Sequence, residues 1–419
     1  MLLHWIWLAH RPGVGDRMKL RLLQHFQDPE DIYFADAESY RHIEGMTAEA
    51  AEGLKDKDLH AAEAALEVCR RENLHILTFR DAAYPAKLKN IGDPPIVLYY
   101  KGQLPDFDAL PVVGVVGTRK ASAYGMQTAK RMGYQIAKCG GIVVSGMAYG
   151  IDGMAMSGAL TAGERTVGVL GCGADVVYPP SNRALFRDTE NYGCILSEFA
   201  PGTPPLHYHF PRRNRIIAGL SCGVLVVEAP VKSGALITAR QALDQGRDVF
   251  VVPGNIDVPT FEGSNQLLRD GATPVFSGWD VVSEYQALYP DKIRKDNAPV
   301  HQTAYPDEVC RAAEEDKIQA KVAQKVTLPK KKQSSVENSH KKSIDKAASS
   351  PYIDVNDKLP KLSADESAIV ASLQNGERLV DDVIAETGMT TGKLLASLTM
   401  LELKGVVRRL PGKRVSLKS

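Results

Sequence analysis

Five short, almost uninterrupted apolar runs constrain this chain most: Val112–Val116, Ile142–Val144, Thr166–Leu170, Val224–Val227 and Val249–Val252. A strand with one wet face alternates polar and apolar residues. Runs that are apolar at both parities need cover on both faces, which parallel strands flanked by helices receive. Segments of helical character lie between the runs, around 126–139, 151–162 and 235–245. The alternation predicts a doubly wound, mostly parallel α/β sheet over about 110–285. Two further strand-like pieces, His75–Phe79 and Ile96–Tyr100, precede it as an extension.

The flanks read differently. Residues 1–72 have helical spacing and two glycine turns in similar settings, Pro12-Gly13-Val14-Gly15 and Ile43-Glu44-Gly45-Met46-Thr47. Each resembles the turn of a helix-hairpin-helix (SAM-like) domain, where glycine lets helix-start amides approach a phosphate; a plain helix–helix turn uses glycine equally well. The sheet with its extension is assigned to 73–287. Residues 288–360 lose all periodicity and carry Pro329-Lys330-Lys331-Lys332, Lys341-Lys342 and Ser349-Ser350-Pro351, the composition of a flexible basic linker. Helical and hairpin patterns return over 361–419, predicting a small winged helix with Arg408, Arg409, Lys413 and Arg414 on its wing. The third helix there is heavily apolar, which argues against reading base edges in a major groove.

Charge and motifs narrow the chemistry. The formal net charge is only +1, so attraction for a polyanion has to come from a local patch. Six cysteines are scattered with no C-x-x-C pair, as in a reduced cytoplasmic protein, and no apolar run is long enough to span a bilayer. A Walker loop and the G-x-G-x-x-G dinucleotide fingerprint are both missing. His207 and His209 have no acidic or thiol neighbour at metal spacing, and neither a nucleophile–base–acid order nor a two-metal carboxylate cluster can be traced. The expectation is therefore no catalytic residue, no metal and no cofactor.

A binding site does emerge. In an open parallel sheet, ligands sit beyond the carboxyl ends of the strands at the switch in strand order. The polar, glycine-rich pieces fall there: Gly117-Thr118-Arg119 after the first run, Ser145-Gly146-Met147-Ala148-Tyr149-Gly150-Ile151-Asp152 after the second, and Ser233-Gly234 with Thr238 after Glu228. Asp152 is expected to cap a helix or loop, and Glu228 to pair with an arginine. Phe210-Pro211-Arg212-Arg213-Asn214-Arg215 adds an aromatic ring, a helix-starting proline and three guanidiniums ahead of an apolar helix. Helix-start amides and arginine forks suit phosphate, and Phe210 or Tyr208 suits stacking on an unpaired base.

With those residues in place, the chain resembles the DNA-processing protein A family (DprA, also called Smf) over most of 75–285. The resemblance rests on Gly117-Thr118-Arg119 with Tyr124-Gly125, on Ser145 to Asp152, on Phe210 to Ser221, on Ser233-Gly234 with Thr238-Ala239, on Gly246 to Gly254, and on Gly263-Ser264-Asn265 before Gly271-Ala272. Thr118 stands where the family more often has serine and keeps the hydroxyl. The resemblance implies a Rossmann-like domain that binds single-stranded DNA as a homodimer and loads RecA recombinase onto it during natural transformation, without catalysis. A single-stranded DNA-binding protein is a further implied partner; a membrane is not. Carried over residue by residue, the implied DNA contacts are Gly117, Arg119, Ser145, Gly146, His207, Phe210, Arg212, Arg213, Asn214 and Arg215, with His207 where some members have lysine. The implied dimer contact lies near Leu267 and Leu268. The rival reading is a nucleotide-processing hydrolase of the lysine-decarboxylase-like group, whose P-G-G-x-G-T-x-x-E motif is not matched by Ser233-Gly234-Ala235-Leu236, with Arg at position 240.

Overall fold

The computed structural model describes residues 2–295, 364–374, 376–404, 406–410 and 414–417, which fall into two compact units. The linker expected from 288 lies, beyond residue 295, outside the described residues. The packed chain runs past 287: Tyr289 and Ile293 are buried in the core, and Lys87 Nζ donates to Tyr289 Oη at 2.7 Å.

The first unit opens with six helices, α1 (Leu2–Ala9), α2 (Asp16–Phe26), α3 (Pro29–Phe34), α4 (Ala37–Arg41), α5 (Ala48–Lys55) and α6 (His60–Arg71). Asp28, Asp36 and Thr47 cap three of them, each accepting from a backbone N–H in the first turn. The two glycine turns are matched to protein rather than to an open helix start. Gly13 has φ +75° and a Cβ there would lie 2.9 Å from the Glu49 carbonyl oxygen, while a Cβ on Gly53 would meet the Pro12 carbonyl at 2.2 Å. The first turn therefore packs against α5, and a Cβ on Gly45 of the second would strike the Arg21 guanidinium of α2; the first turns of α2 and α5 also carry Asp16 and Glu49, which disfavour an anion.

The sheet follows, with strands β1 (His75–Thr78), β2 (Val97–Gly102), β3 (Val112–Val116), β4 (Ile142–Ser145), β5 (Thr166–Val169), β6 (Cys194–Ser197), β7 (Gly223–Val226), β8 (Asp248–Val251) and β9 (Thr273–Pro274). Their order is β1-β2-β6-β5-β4-β3-β7-β8-β9. Every pairing from β3 to β9 is parallel, and β1 and β2 add an antiparallel margin next to β6. This is the Rossmann-like, doubly wound sheet expected. The chain winds outward from β3 to β6, then crosses back so that β7 lies on the other side of β3, and the crevice between β3 and β7 is the switch point.

The apolar runs do what burial on both faces requires. Val113 and Val115 join one core layer with helices α8 (Ala123–Lys138) and α9 (Ile151–Thr161), and that layer continues into the buried Trp5, Trp7 and Leu8 of α1. Val112 and Val116 join the opposite layer with Ile216, Ile217 and Leu220 of α11 (His209–Leu220) and Ala235 and Ala239 of α12 (Gly234–Asp244). Between these pairs of helices comes α10 (Arg183–Tyr192), with the short α7 (Ala86–Lys89) ahead of α8 and α13 (Glu262–Arg269) and α14 (Gly278–Ser283) closing the unit.

His10 ties the N-terminal helices to β2, its Nε2 lying 2.9 Å from Tyr99 Oη. Burial, with the positive charges of Lys19, Arg212 and Arg11, lowers its pKa from 6.5 to about 4. The folded protein keeps this ring neutral, so unfolding takes up a proton once the pH is below 6.5. Stability is full above that pH and is lost as it falls toward 4, by up to about 3 kcal/mol. His10→Gln should flatten urea-unfolding stability between those two pH values; an unchanged slope would remove His10 as the cause.

The second unit has helices α15 (Ala364–Ser372), α16 (Val380–Thr387) and α17 (Thr391–Leu403), and strands β10 (Arg378–Leu379), β11 (Val407–Leu410) and β12 (Arg414–Leu417) in the antiparallel order β10-β12-β11. Ile369, Leu373, Val383, Leu394, Leu398, Leu401, Val407 and Val415 form its core, and the architecture is a winged helix. On the wing, Arg408 donates to Ser416 Oγ and Arg414 pairs with Glu377 at 2.7 Å. Lys413 and the Arg409 side chain lie outside the described residues. Among the described residues, no helix is long and apolar enough to cross a membrane.

Candidate functional site

A cleft of about 520 Å³ opens at the switch point. One wall is the β3–α8 loop with Gly117, Thr118 and Arg119; the other is the β7–α12 loop with Pro230, Lys232, Ser233 and Gly234. The start of α11 roofs it with His207, Phe210, Arg213 and Asn214. Three stretches far apart in sequence thus converge because parallel strands end at one rim and the crossover into β7 carries α11 over it.

Arg119 and Lys232 are exposed, on facing walls. The Arg119 guanidinium lies over the Phe210 ring, its Cζ 5.0 Å from the ring centroid. Phe210 is fixed from beneath: a Cβ on Gly171 would come within 2.9 Å of its Cδ1, and Tyr178 tilts against it at 5.6 Å. The ring therefore does not present a bare face, as stacking on Phe210 alone requires; it presents a guanidinium plane carried on an aromatic one. His207 and Tyr208 stand exposed at the mouth, edge to face at 5.4 Å. His209 turns away, stacked on Phe199 at 4.0 Å with Nδ1 3.2 Å from the Gly171 carbonyl, so the two histidines do not converge. On the far wall Ser233 caps α12, accepting from Ala235 N–H, and a Cβ on Gly234 would meet nothing within 4 Å, so the helix start faces open space.

The other arginines of the cluster do not join Arg119. Successive helix residues are turned by about 100°, so Phe210, Arg213 and Asn214 share one side of α11 while Arg212 and Arg215 point to another. Arg215 is buried in an ion network, with Nη2 2.9 Å from Asp16 and 2.5 Å from Glu198, and Nε 3.5 Å from Asp93. Arg212 is half exposed but its Nη2 lies 2.9 Å from Asp16 and 3.3 Å from Glu198. These two hold α11 to α2 and to the end of β6.

Arg213 borders the cleft yet is buried. Its Nη1 donates to the carbonyls of Gly146 (2.9 Å) and Val169, and its Nε to Asn214 Oδ1 at 3.1 Å. Burial lowers the guanidinium from 12.5 to about 10, against the upward pull of Asp152. Asp152, also buried, accepts from the backbone N–H groups of Gly146 (3.1 Å), Ala148 and Gly117. Burial raises this carboxyl above its ordinary range, against the pull of Arg213 and those three donors. One carboxylate and one guanidinium thus bind together the loops after β3, β4 and β5 and the first turn of α11. A Cβ on Gly146 would come within 2.4 Å of Arg213 Nη2 and 2.7 Å of Asp152 Oδ2, which is why glycine stands there. Ser145 is fully buried and donates to the Val115 carbonyl at 2.6 Å. Gly117 is packed on Ile151, which a Cβ would strike at 2.4 Å.

The fold places the residues singled out from sequence unequally. Ser145 and Arg213 bond to backbone carbonyls, Arg215 pairs through Nη2 and Nε with Asp16, Glu198 and Asp93, and Arg212 is held by carboxylates. Glu228, expected to pair with an arginine, instead accepts from Ser122 N–H and Oγ, the latter at 2.8 Å. Lys232 was not singled out from sequence; its only signal is its place just before the Ser233-Gly234 helix start. What the cleft offers is one guanidinium on a ring, one ammonium, an imidazole, an amide and a helix start: a site for an anion bearing a flat group.

The family model for DNA recombination-mediator protein A matches residues 75–286, and the DprA winged helix domain model matches 356–413. Protein Smf of Synechocystis sp. is 34% identical over 419 residues, 98% of this chain and 97% of that protein. DNA processing protein DprA of Streptococcus pneumoniae is 44% identical over 206 residues, covering 49% of this chain and 72% of the relative. The X-ray structure of DNA processing protein A from the same species is similar with a TM-score of 0.61 at 35% identity, covering 68% of this chain and 98% of that one. Matched by that model across the whole parallel sheet, and aligned with one relative nearly end to end, the chain belongs to the DNA recombination-mediator protein A (DprA/Smf) family.

Proposed function

We propose that this protein binds single-stranded DNA in the switch-point cleft and acts as a recombination mediator, passing the strand to a RecA recombinase without itself catalysing a reaction. The observation that carries the reading is the Arg119–Phe210 stack facing Lys232 across the cleft. A guanidinium donates to a phosphate oxygen along its edge and stacks a base on its face, and the ammonium opposite attracts the next phosphate. Duplex DNA has no free base faces, so the preference is for unpaired strands. Gly117, His207, Arg213 and Asn214 line the same cleft; Ser145 and Gly146 belong to the β4 end that Arg213 braces, and Arg212 and Arg215 fix α11 to α2. The acid lining the cleft is Asp152, which is buried and engaged, and this disfavours the hydrolase reading. Assembly as a homodimer through Leu267 and Leu268, and work beside a single-stranded DNA-binding protein, belong to the same proposal; both leucines are half-buried against the core, leaving part of their surface for a partner.

A gel shift with single-stranded beside duplex oligonucleotides tests the reading, and equal affinity for both would defeat it. With Arg119 and Lys232 as the exposed cations of each cleft, log K should fall against log salt with a slope of about −1.4. Lys232→Ala should bring that slope up by about 0.7 in anisotropy titrations. An unaltered slope would take Lys232 out of the strand's path.

A further inference from the structure

We propose a second strand subsite: the groove between α9 and α10 takes the unpaired bases of the nucleotides that leave the cleft. This rests on the reading of the cleft as a single-strand site. The groove has a volume of about 560 Å³ and is continuous with the cleft, because Ala148 borders both and Tyr149 lines the small hollow beneath Arg119 and Phe210 as well as the groove. Its floor is apolar, built from Gly153, Met154 and Leu160 of α9 and Leu185 of α10. It runs along the 11 residues of α9, a length of about 16 Å.

Exposed tyrosines stand at its two ends, Tyr149 at 46% and Tyr192 at 68% exposure. Large aromatic rings left in water on either side of an apolar trough match the platforms on which unpaired bases stack. The charges point to bases rather than phosphates. Arg187 lies on the groove with Asp188 and Glu164, and its Nε is 3.4 Å from Asp188 Oδ1, so the groove adds no net positive charge. A strand laid here keeps its phosphates toward water and its bases inward.

The two sites therefore differ in what they read: the cleft responds to salt, and the groove responds to whether bases are present. Binding of the full chain is compared for two strands of equal length and charge, one with all bases and one abasic beyond the first four nucleotides. The strand with bases should bind at least about fivefold tighter, the lower end for stacking one base on an aromatic ring, and this ratio should hold across salt. Tyr192→Ala, at an exposed position, should lower the ratio about fivefold, one stacked base's worth, while leaving the affinity for a four-nucleotide strand unchanged. A ratio of one in the unaltered protein, or a ratio that Tyr192→Ala and Tyr149→Ala both leave intact, overturns the subsite. Arg119→Ala separates the two readings: if it lowers four-nucleotide binding while the abasic comparison fails, the cleft stands and the groove falls. If four-nucleotide binding ignores Arg119, the cleft reading itself falls. Displacement of an amphipathic helical peptide by neither strand would show that the groove serves a protein instead, which also overturns the proposal.

Discussion

Arg213→Ala is expected to lower the stability of the larger unit by about 3–5 kcal/mol, the cost of removing one partner from a buried charge pair. The loss strands the Asp152 carboxylate, which burial already raises, and leaves the carbonyls of Gly146 and Val169 without their donor. Urea unfolding followed by tryptophan fluorescence reads this unit alone, because the three tryptophans are Trp5, Trp7 and Trp279. Asp152→Asn combined with Arg213→Ala should recover part of the loss by removing the unpaired charge. The folded fraction of the single variant should bind single-stranded DNA more weakly, as the 146 loop and the end of β5 lose their common tie to α11, yet with the same salt slope. A shallower slope would mean that Arg213 meets phosphate directly, and the bracing role would be wrong.

The Arg119–Phe210 pair gives the largest effect on binding. Phe210→Ala should cost about 1–3 kcal/mol, the worth of one stacked base, because the guanidinium that receives the base loses the ring that carries it. Arg119→Ala should cost a comparable amount and also bring the salt slope up by about 0.7. Because the guanidinium rests on the ring at 5.0 Å, removing the ring takes away the guanidinium's support, whereas Gly171 and Tyr178 keep the ring in place without Arg119. The double variant should therefore lose less than the sum of the two, by about 0.5–2 kcal/mol, the range of a cation–π contact. Additivity within about 0.5 kcal/mol in the double-mutant cycle would show two independent contacts. Titrations at several salt concentrations separate the ring's contribution from the phosphate's.

The contrast between these two arginines shows what the sequence could say. Phe210 to Arg215 reads as one basic patch when the letters are taken together, but a helix distributes six residues around its whole circumference. Arg213 and Arg215 end in the interior because α11 crosses the sheet's rim, with Asp152 under one side and Asp16 and Glu198 under another. None of those acids is near the arginines in sequence, so no local pattern announces the pairing. Arg119 escapes because its loop leaves the end of β3 toward water. Lys232 stayed invisible for the converse reason: a single lysine in a short loop carries no pattern until the opposite wall is known.

The apolar runs, read at both parities, were sufficient to establish parallel strands covered on two sides, and the loops that follow them were enough to place the cleft at the strand ends. Burial preference and chain periodicity are local properties, so they are written in order along the chain. Which cations face solvent was decided only by the folded arrangement, since a charge is available or engaged according to what lies opposite it across space. The handover at β7, which brings residues more than a hundred positions apart to one rim, is where that decision is made.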